Sequence, residues 1–267
     1  MEDFAYFLLI ASPFGAAYLW IRWYLPFFSD RLRRIRPNPV FVPMMIVPLL
    51  CTAIIFLALK SFAASDVRDD SFYLPMYLAL GLAWIGVGEW LFRLMGISAI
   101  FDVLERANRA AFFAVAGALF GLSFCYSGGN IGEGPGTEAV LYAAGLATIA
   151  YAAVWWVYAT LTQIDYAVTM HRDDASGVRL GGFLMAAGLI LGRAAAGNWV
   201  SYAATFVDLI RYGAPVLLLL LAAVVLEPRL RPTADAPARS VLAYGVLPAM
   251  VFVTGAIIYL VEGTFPL

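Results

Sequence analysis

Apolar runs of about 20 residues follow one another along this chain, each long enough to cross a ~30 Å hydrocarbon core as a helix. They fall at roughly 4–27, 40–62, 73–95, 109–127, 139–161, 180–198, 205–226 and 241–261. The strict alternation that marks barrel strands is missing from them, and lipid accepts a backbone only as helices or as a closed barrel. The chain is 63% hydrophobic and 13% charged, against about 45–50% and about 25% for a soluble domain. The expectation is an all-α, polytopic transmembrane helical bundle of about eight spans, with the lipid bilayer as its first partner. The N-terminus, MEDF, is acidic and its apolar run continues past Trp20, the pattern of a first membrane helix and not of a cleaved signal peptide.

Charge alternates from loop to loop. Arg31, Arg33, Arg34 and Arg36 follow the first span, and Arg106 and Arg109 follow the third. His171, Arg172 and Arg179 follow the fifth, and Arg229, Arg231 and Arg239 the seventh. The loops between them, AASDVRDDS and SGGNIGEGPGTE, hold a single arginine. Basic loops resist translocation, so both termini are expected outside a bacterial inner membrane. The glycines of the second loop suggest a flexible external connector. Cys51 and Cys125 lie within or at the end of apolar runs, as buried free thiols do. No nucleic-acid partner is expected.

An internal repeat organises the middle of the chain. The stretch 105–121, ERANRAAFFAVAGALFG, opens with charge, carries Asn108 at its mouth, and then turns small and apolar with Gly117 and Gly121 four apart. A looser copy at 172–192, RDDASGVRLGGFLMAAGLILG, sets Asp174 in place of Asn108 and spaces Gly182, Gly188 and Gly192 behind it. Each copy follows a long aromatic-rich apolar segment, so the unit is a helix pair, and two-span units enter the membrane from one side as parallel repeats. The pairs are expected at 73–127, 139–198 and, degraded, 205–261, within a repeat bundle at 65–267 that follows a two-helix N-terminal extension at 1–64. Small-xxx-small spacing lets helices approach closely, either within one bundle or across a homo-oligomer.

LERANRAAFFAVAGALFG, preceded by FYLPMYLALGLAWIGVGEWLF, resembles the bacterial inner-membrane YjfL-type family of unknown function. Asn108, Ala110, Ala111, Gly117 and Gly121 match the first copy of its unit, and Asp174, Gly177, Gly182 and Gly188 the second. The resemblance covers roughly 73–200. It implies a bacterial inner-membrane protein and brings no activity with it.

Ionisable residues within apolar runs are then the functional pointers. Arg193 lies deep in the sixth span, and a short turn near Val200 is expected to set it level with Asp208, with Arg211 competing for the same carboxylate. This pair is a candidate buried ion pair or pathway. Glu89 and Arg93 stand four apart in the favourable order for a helical ion pair. Asn108 and Asp174, at the mouths of their helices, suit capping of free backbone N–H groups or the lining of a polar vestibule. His171 with Asp173 and Asp174 matches no zinc spacing, so no metal or other cofactor is expected. No nucleophile, acid pair or HExxH motif suggests an enzyme. The leading expectation is a channel or transporter for a small ion or solute. The alternative is a non-transporting scaffold or stress-response component docking a cytoplasmic protein.

Overall fold

The structure is a computed structural model that describes residues 2–28, 38–232 and 240–263, with side chains in the first helix described from Phe7. Among them, apart from one isolated bridge between Ala63 and Gly132, every regular element is helical. The long helices are α1 (Glu2–Tyr24), α2 (Phe41–Phe62), α3 (Tyr73–Leu94), α4 (Arg109–Gly128), α5 (Thr137–Thr162) and α6 (Asp174–Ala194). They continue as α7 (Tyr202–Gly213), α8 (Pro215–Leu230) and α9 (Leu242–Glu262), whose first turn, Leu242–Val246, is a π-turn.

Six of these, α2 to α6 and α9, are long and apolar enough to cross a membrane. A seventh span arises if α7 and α8 are taken together, since they meet at a 42° bend. The span expected at 4–27 coincides with α1, which is not among the six. The run at 205–226, expected to be one continuous helix, is therefore broken. Pro215 has no N–H to donate, and its ring collides with the carbonyl four residues back. α7 closes with Ala214 N donating to Ile210 O at 3.1 Å, and α8 restarts with proline in its first turn.

α4 and α6 form the centre: 78% of each span is buried, against 22% for α9. They run parallel, with Ala110 against Gly177, Gly117 against Gly181 and Gly128 against Gly192. A methyl group on Gly117, Gly188 or Gly192 would strike the backbone of the facing helix, and Gly121 lies against Gly188, Tyr151 and the Leu184 carbonyl. The close approach earns dispersion along two whole spans, which lipid does not compete for. Gly182 points the other way, onto Ala249 of α9. The glycine pairs are thus occupied within the chain. α2 packs on the other side of α4, α1 on α3, and α8 on α5 and α6.

The loops are stitched together at both ends. At one end Gly132 N donates to Phe62 O (3.3 Å), Gly197 N to Ile131 O (3.0 Å) and Trp199 N to Glu133 O (2.8 Å). The glycine-rich connector is therefore fastened to both neighbours. At the other end Asn38 Nδ2 donates to Leu104 O and Asn108 Nδ2 to Val168 O, each at 2.8 Å. That second end carries the site.

Candidate functional site: a buried charge cluster at one end of the bundle

Asp173 caps α6, accepting from the backbone N–H of Ala175 (3.3 Å) and Ser176 (3.1 Å). With the helix started there, Ser176 and Arg179 stand three apart on one face, a turn or so beneath the helix mouth. Glu227 approaches from the last turn of α8, Tyr158 from the last turns of α5, and the Tyr244 carbonyl from the first turn of α9.

The contacts converge on Glu227. Arg179 grips it in a fork, Nε to Oε2 at 2.7 Å and Nη2 to Oε1 at 2.8 Å. Tyr158 OH donates to Oε2 (3.1 Å), and Arg231 Nε donates to Oε1 (3.0 Å). Ser176 Oγ lies 2.8 Å from Oε1 and 2.7 Å from Asp173 Oδ2, so its single proton serves one carboxylate at a time. The remaining Arg179 donors reach Ser176 Oγ (2.8 Å) and the Tyr244 carbonyl.

Arg179 is 1% exposed and Glu227 0%. Removing two charges from water costs several kcal/mol each, on the order recovered only by good geometry and by hydrogen bonds to the remaining atoms. Here both conditions are met. The cluster joins α5, α6, α8 and α9 at one point, and it fastens the free end of the bent α7–α8 segment to the rigid α4–α6 spine.

A cleft of about 450 Å³ lies beside the cluster, lined by Tyr166, His171, Arg172, Asp173, Asp174 and Arg231, with Ala167 and Pro232. Asp173 and Arg231 belong to both. Asp174 meets Arg109 Nε at 3.4 Å. Arg231 Nη2 is shielded from solvent and has no hydrogen-bond partner among the described residues.

The pair expected between Arg193 and Asp208 does not form. α6 ends at Ala194, and Asp208 comes only midway through α7, after an extended stretch capped by Ser201. The two residues therefore sit at different depths. Arg193 donates to Ala196 O at 3.3 Å, with the Tyr212 and Tyr259 phenols as electrostatic neighbours. Arg211 is exposed and lies over the Tyr212 ring, 5.4 Å from its centroid. Glu89 and Arg93 are joined, the carboxylate buried and the guanidinium half-exposed. Arg31, Arg33, Arg34, Arg36 and Arg239 lie outside the described residues.

Asn108 does cap α4, its Oδ1 accepting from Ala111 N at 3.2 Å. In the second copy the cap is Asp173, one residue before Asp174, which is the first residue of the helix. The same geometry precedes both caps 65 residues apart, from 108 to 173. Asn108 N donates to Asp102 O (3.2 Å) and Asp173 N to Ala167 O (3.1 Å), while Ala107 and Arg172 both take left-handed φ, +49° and +53°. Ser240 Oγ stands in the same relation to Ala243 N (3.4 Å) at the mouth of α9.

Ser176, Arg179 and Glu227 escape the sequence reading because the sixth apolar run starts at 180 and the seventh ends at 226, and Tyr158, inside the fifth run, has no charge to mark it. Both charges then fell into loops. The 65-residue register was the signal: it sets Ser176 against Ala111 and Arg179 against Ala114, inside the helix. Cys51 and Cys125 are free and buried. Among the described residues no group of three or more His, Cys, Asp or Glu is arranged to hold a metal. No family model, curated protein or solved structure matches the chain.

Proposed function

We propose that this chain is a bacterial inner-membrane transporter or channel for a small ion or solute, in which α8 is the gate and Glu227–Arg179 its latch. The observation that carries the reading is the broken span. A helix interrupted by proline at mid-length, packed on α5 and α6 and locked at its far end by a charge cluster, is an element that can swing once the cluster opens, and discontinuous helices are a recurring device of transporter sites. The fulcrum is Gly213–Pro215. The anchor is α6, which the glycine contact with α4 makes rigid.

The orientation that suits the basic loops places both termini outside and the Arg179 cluster at the cytoplasmic end. The matching caps at Asn108, Asp173 and Ser240 support an architecture of repeated helix pairs, as does the YjfL-like pattern of residues. The paired contacts of Asn38 and Asn108 with the following connector support reading α1–α2 as a further pair of the same kind, in a bundle of eight spans.

Flux across proteoliposomes under ion gradients tests the reading, with Glu227→Gln as the perturbation and Arg193→Ala as the control. Glu227→Gln weakens the grip on Arg179 and is expected to change flux severalfold, while Arg193→Ala leaves it unchanged. Flux that ignores Glu227→Gln, or folded protein that conducts nothing in either form, contradicts the proposal.

A further inference from the structure

We infer that the cleft beside the latch is a binding site for a phosphate-type anion, carried either by a small soluble molecule or by the headgroup of an acidic phospholipid. This goes beyond the transport reading and does not depend on it.

Two basic side chains line the cleft with capacity to spare. Arg231 uses Nε on Glu227, while its Nη2 is closed off from water and makes no hydrogen bond among the described residues. A buried cationic N–H without an acceptor is costly, and a turn of the Arg231 side chain, 26% exposed at the cleft, brings this nitrogen to an oxyanion there. Arg172 is exposed, and among the described residues it makes no ion pair. Its left-handed φ of +53°, in the bend before the Asp173 cap, fixes where its side chain departs. His171, edge-on to the Tyr166 ring with centroids 4.9 Å apart, adds a third nitrogen-bearing side chain to the lining.

The two carboxylates in the lining are already engaged. Asp173 accepts from Ala175 N, Ser176 N and Ser176 Oγ, and Asp174 faces Arg109. What remains for a ligand is guanidinium, whose planar fork matches phosphate and carboxylate oxygens. The volume of about 450 Å³ exceeds that of a bare ion and falls in the range of small-molecule sites, on the order of 300–1,000 Å³. A phosphomonoester with its organic group fits this description. The site stands at the end of the spans, where headgroup phosphates also lie.

The test is thermal unfolding and direct binding with full-length protein in nanodiscs of phosphatidylcholine, titrated with inorganic phosphate and glycerol phosphate, and in parallel discs doped with phosphatidic acid. Stabilisation by soluble phosphate in neutral discs assigns the site to a soluble ligand; stabilisation only in the doped discs assigns it to a lipid headgroup. In either case Arg172→Gln is expected to weaken binding about tenfold, the loss of one charge-assisted contact. Among the described residues the exposed Arg172 side chain makes no ion pair that holds the fold, and Lys60→Gln at the opposite end leaves binding unchanged. Arg231→Gln weakens it further. No response in either disc, or a response that Arg172→Gln and Arg231→Gln leave intact, overturns the inference. Flux that ignores Glu227→Gln while phosphate binding persists sinks the gate and spares this site.

Discussion

Glu227→Leu removes the carboxylate on which five donors converge and leaves the Arg179 guanidinium buried with the Tyr244 carbonyl, Ser176 Oγ and the more distant Asp173 carboxylate at 4.0 Å. Leaving one charge of a buried pair without its close partner costs about 3–5 kcal/mol, and Asp173 at 4.0 Å offsets only part of it. Arg179→Met is milder, because Glu227 keeps Arg231, Ser176 and Tyr158; about 3 kcal/mol is expected. The double variant Arg179→Met/Glu227→Leu exchanges the pair for apolar side chains of similar bulk. Such exchanges are neutral or stabilising by about 1–4 kcal/mol in well-packed interiors. The loose hydroxyls of Ser176 and Tyr158 offset part of this, so the double variant should stand within about 2 kcal/mol of the parent. The cycle then shows a coupling of several kcal/mol, far outside the ~0.5 kcal/mol additivity of independent sites. Reversible unfolding in mixed micelles reads all four proteins. A double variant that loses the sum of the two single losses would refute the reasoning, because the residues would then act separately.

The glycine contact predicts a steep steric response: Gly117→Leu or Gly188→Leu forces α4 and α6 apart, costs at least about 1–3 kcal/mol, and lowers the folded yield in detergent, whereas Gly145→Leu, with open space around it, is tolerated. The caps separate cleanly as well. Asn108→Ala loses both a cap and the bond to Val168 O and is expected to cost about 1–2 kcal/mol by the same unfolding measurement. Asp174→Ala loses only a half-exposed ion pair with Arg109 and should cost no more than about 1 kcal/mol. A larger loss from Asp174→Ala than from Asp173→Ala would show that the cap of α6 has been assigned to the wrong residue.

Much of the bundle is legible in the sequence because lipid leaves few choices. Apolar length fixes the helices, and small-residue spacing marks α4 and α6 as the pair able to approach most closely. The depth of Arg193 was misjudged for a local reason: the extended stretch before the Ser201 cap carries no hydropathy signal, so the turn near Val200 seemed shorter than it is. The break at Pro215 was hidden by the leucines that follow it, since hydropathy averages over a kink that hydrogen bonding cannot. The cluster itself was lost by its position. Charges one or two turns inside a span end look like loop residues, and only the repeat register, or the partners that burial brings from three other helices, places Arg179 and Glu227 inside. Hydropathy does not separate neighbours on a helix either: Trp156 is exposed, while Trp155 is fully buried against Phe92 and Tyr151.

The claim that α8 swings when its latch opens is tested most directly by a distance. Spin labels at introduced cysteines replacing Leu161 in the last turn of α5 and Val225 on α8, both exposed, report on the gap between these helices in liposomes, since the native cysteines are buried. The account predicts one short, narrow distance for the parent and a longer, broader one for Glu227→Gln. An identical narrow distance in both, with the variant folded, contradicts it.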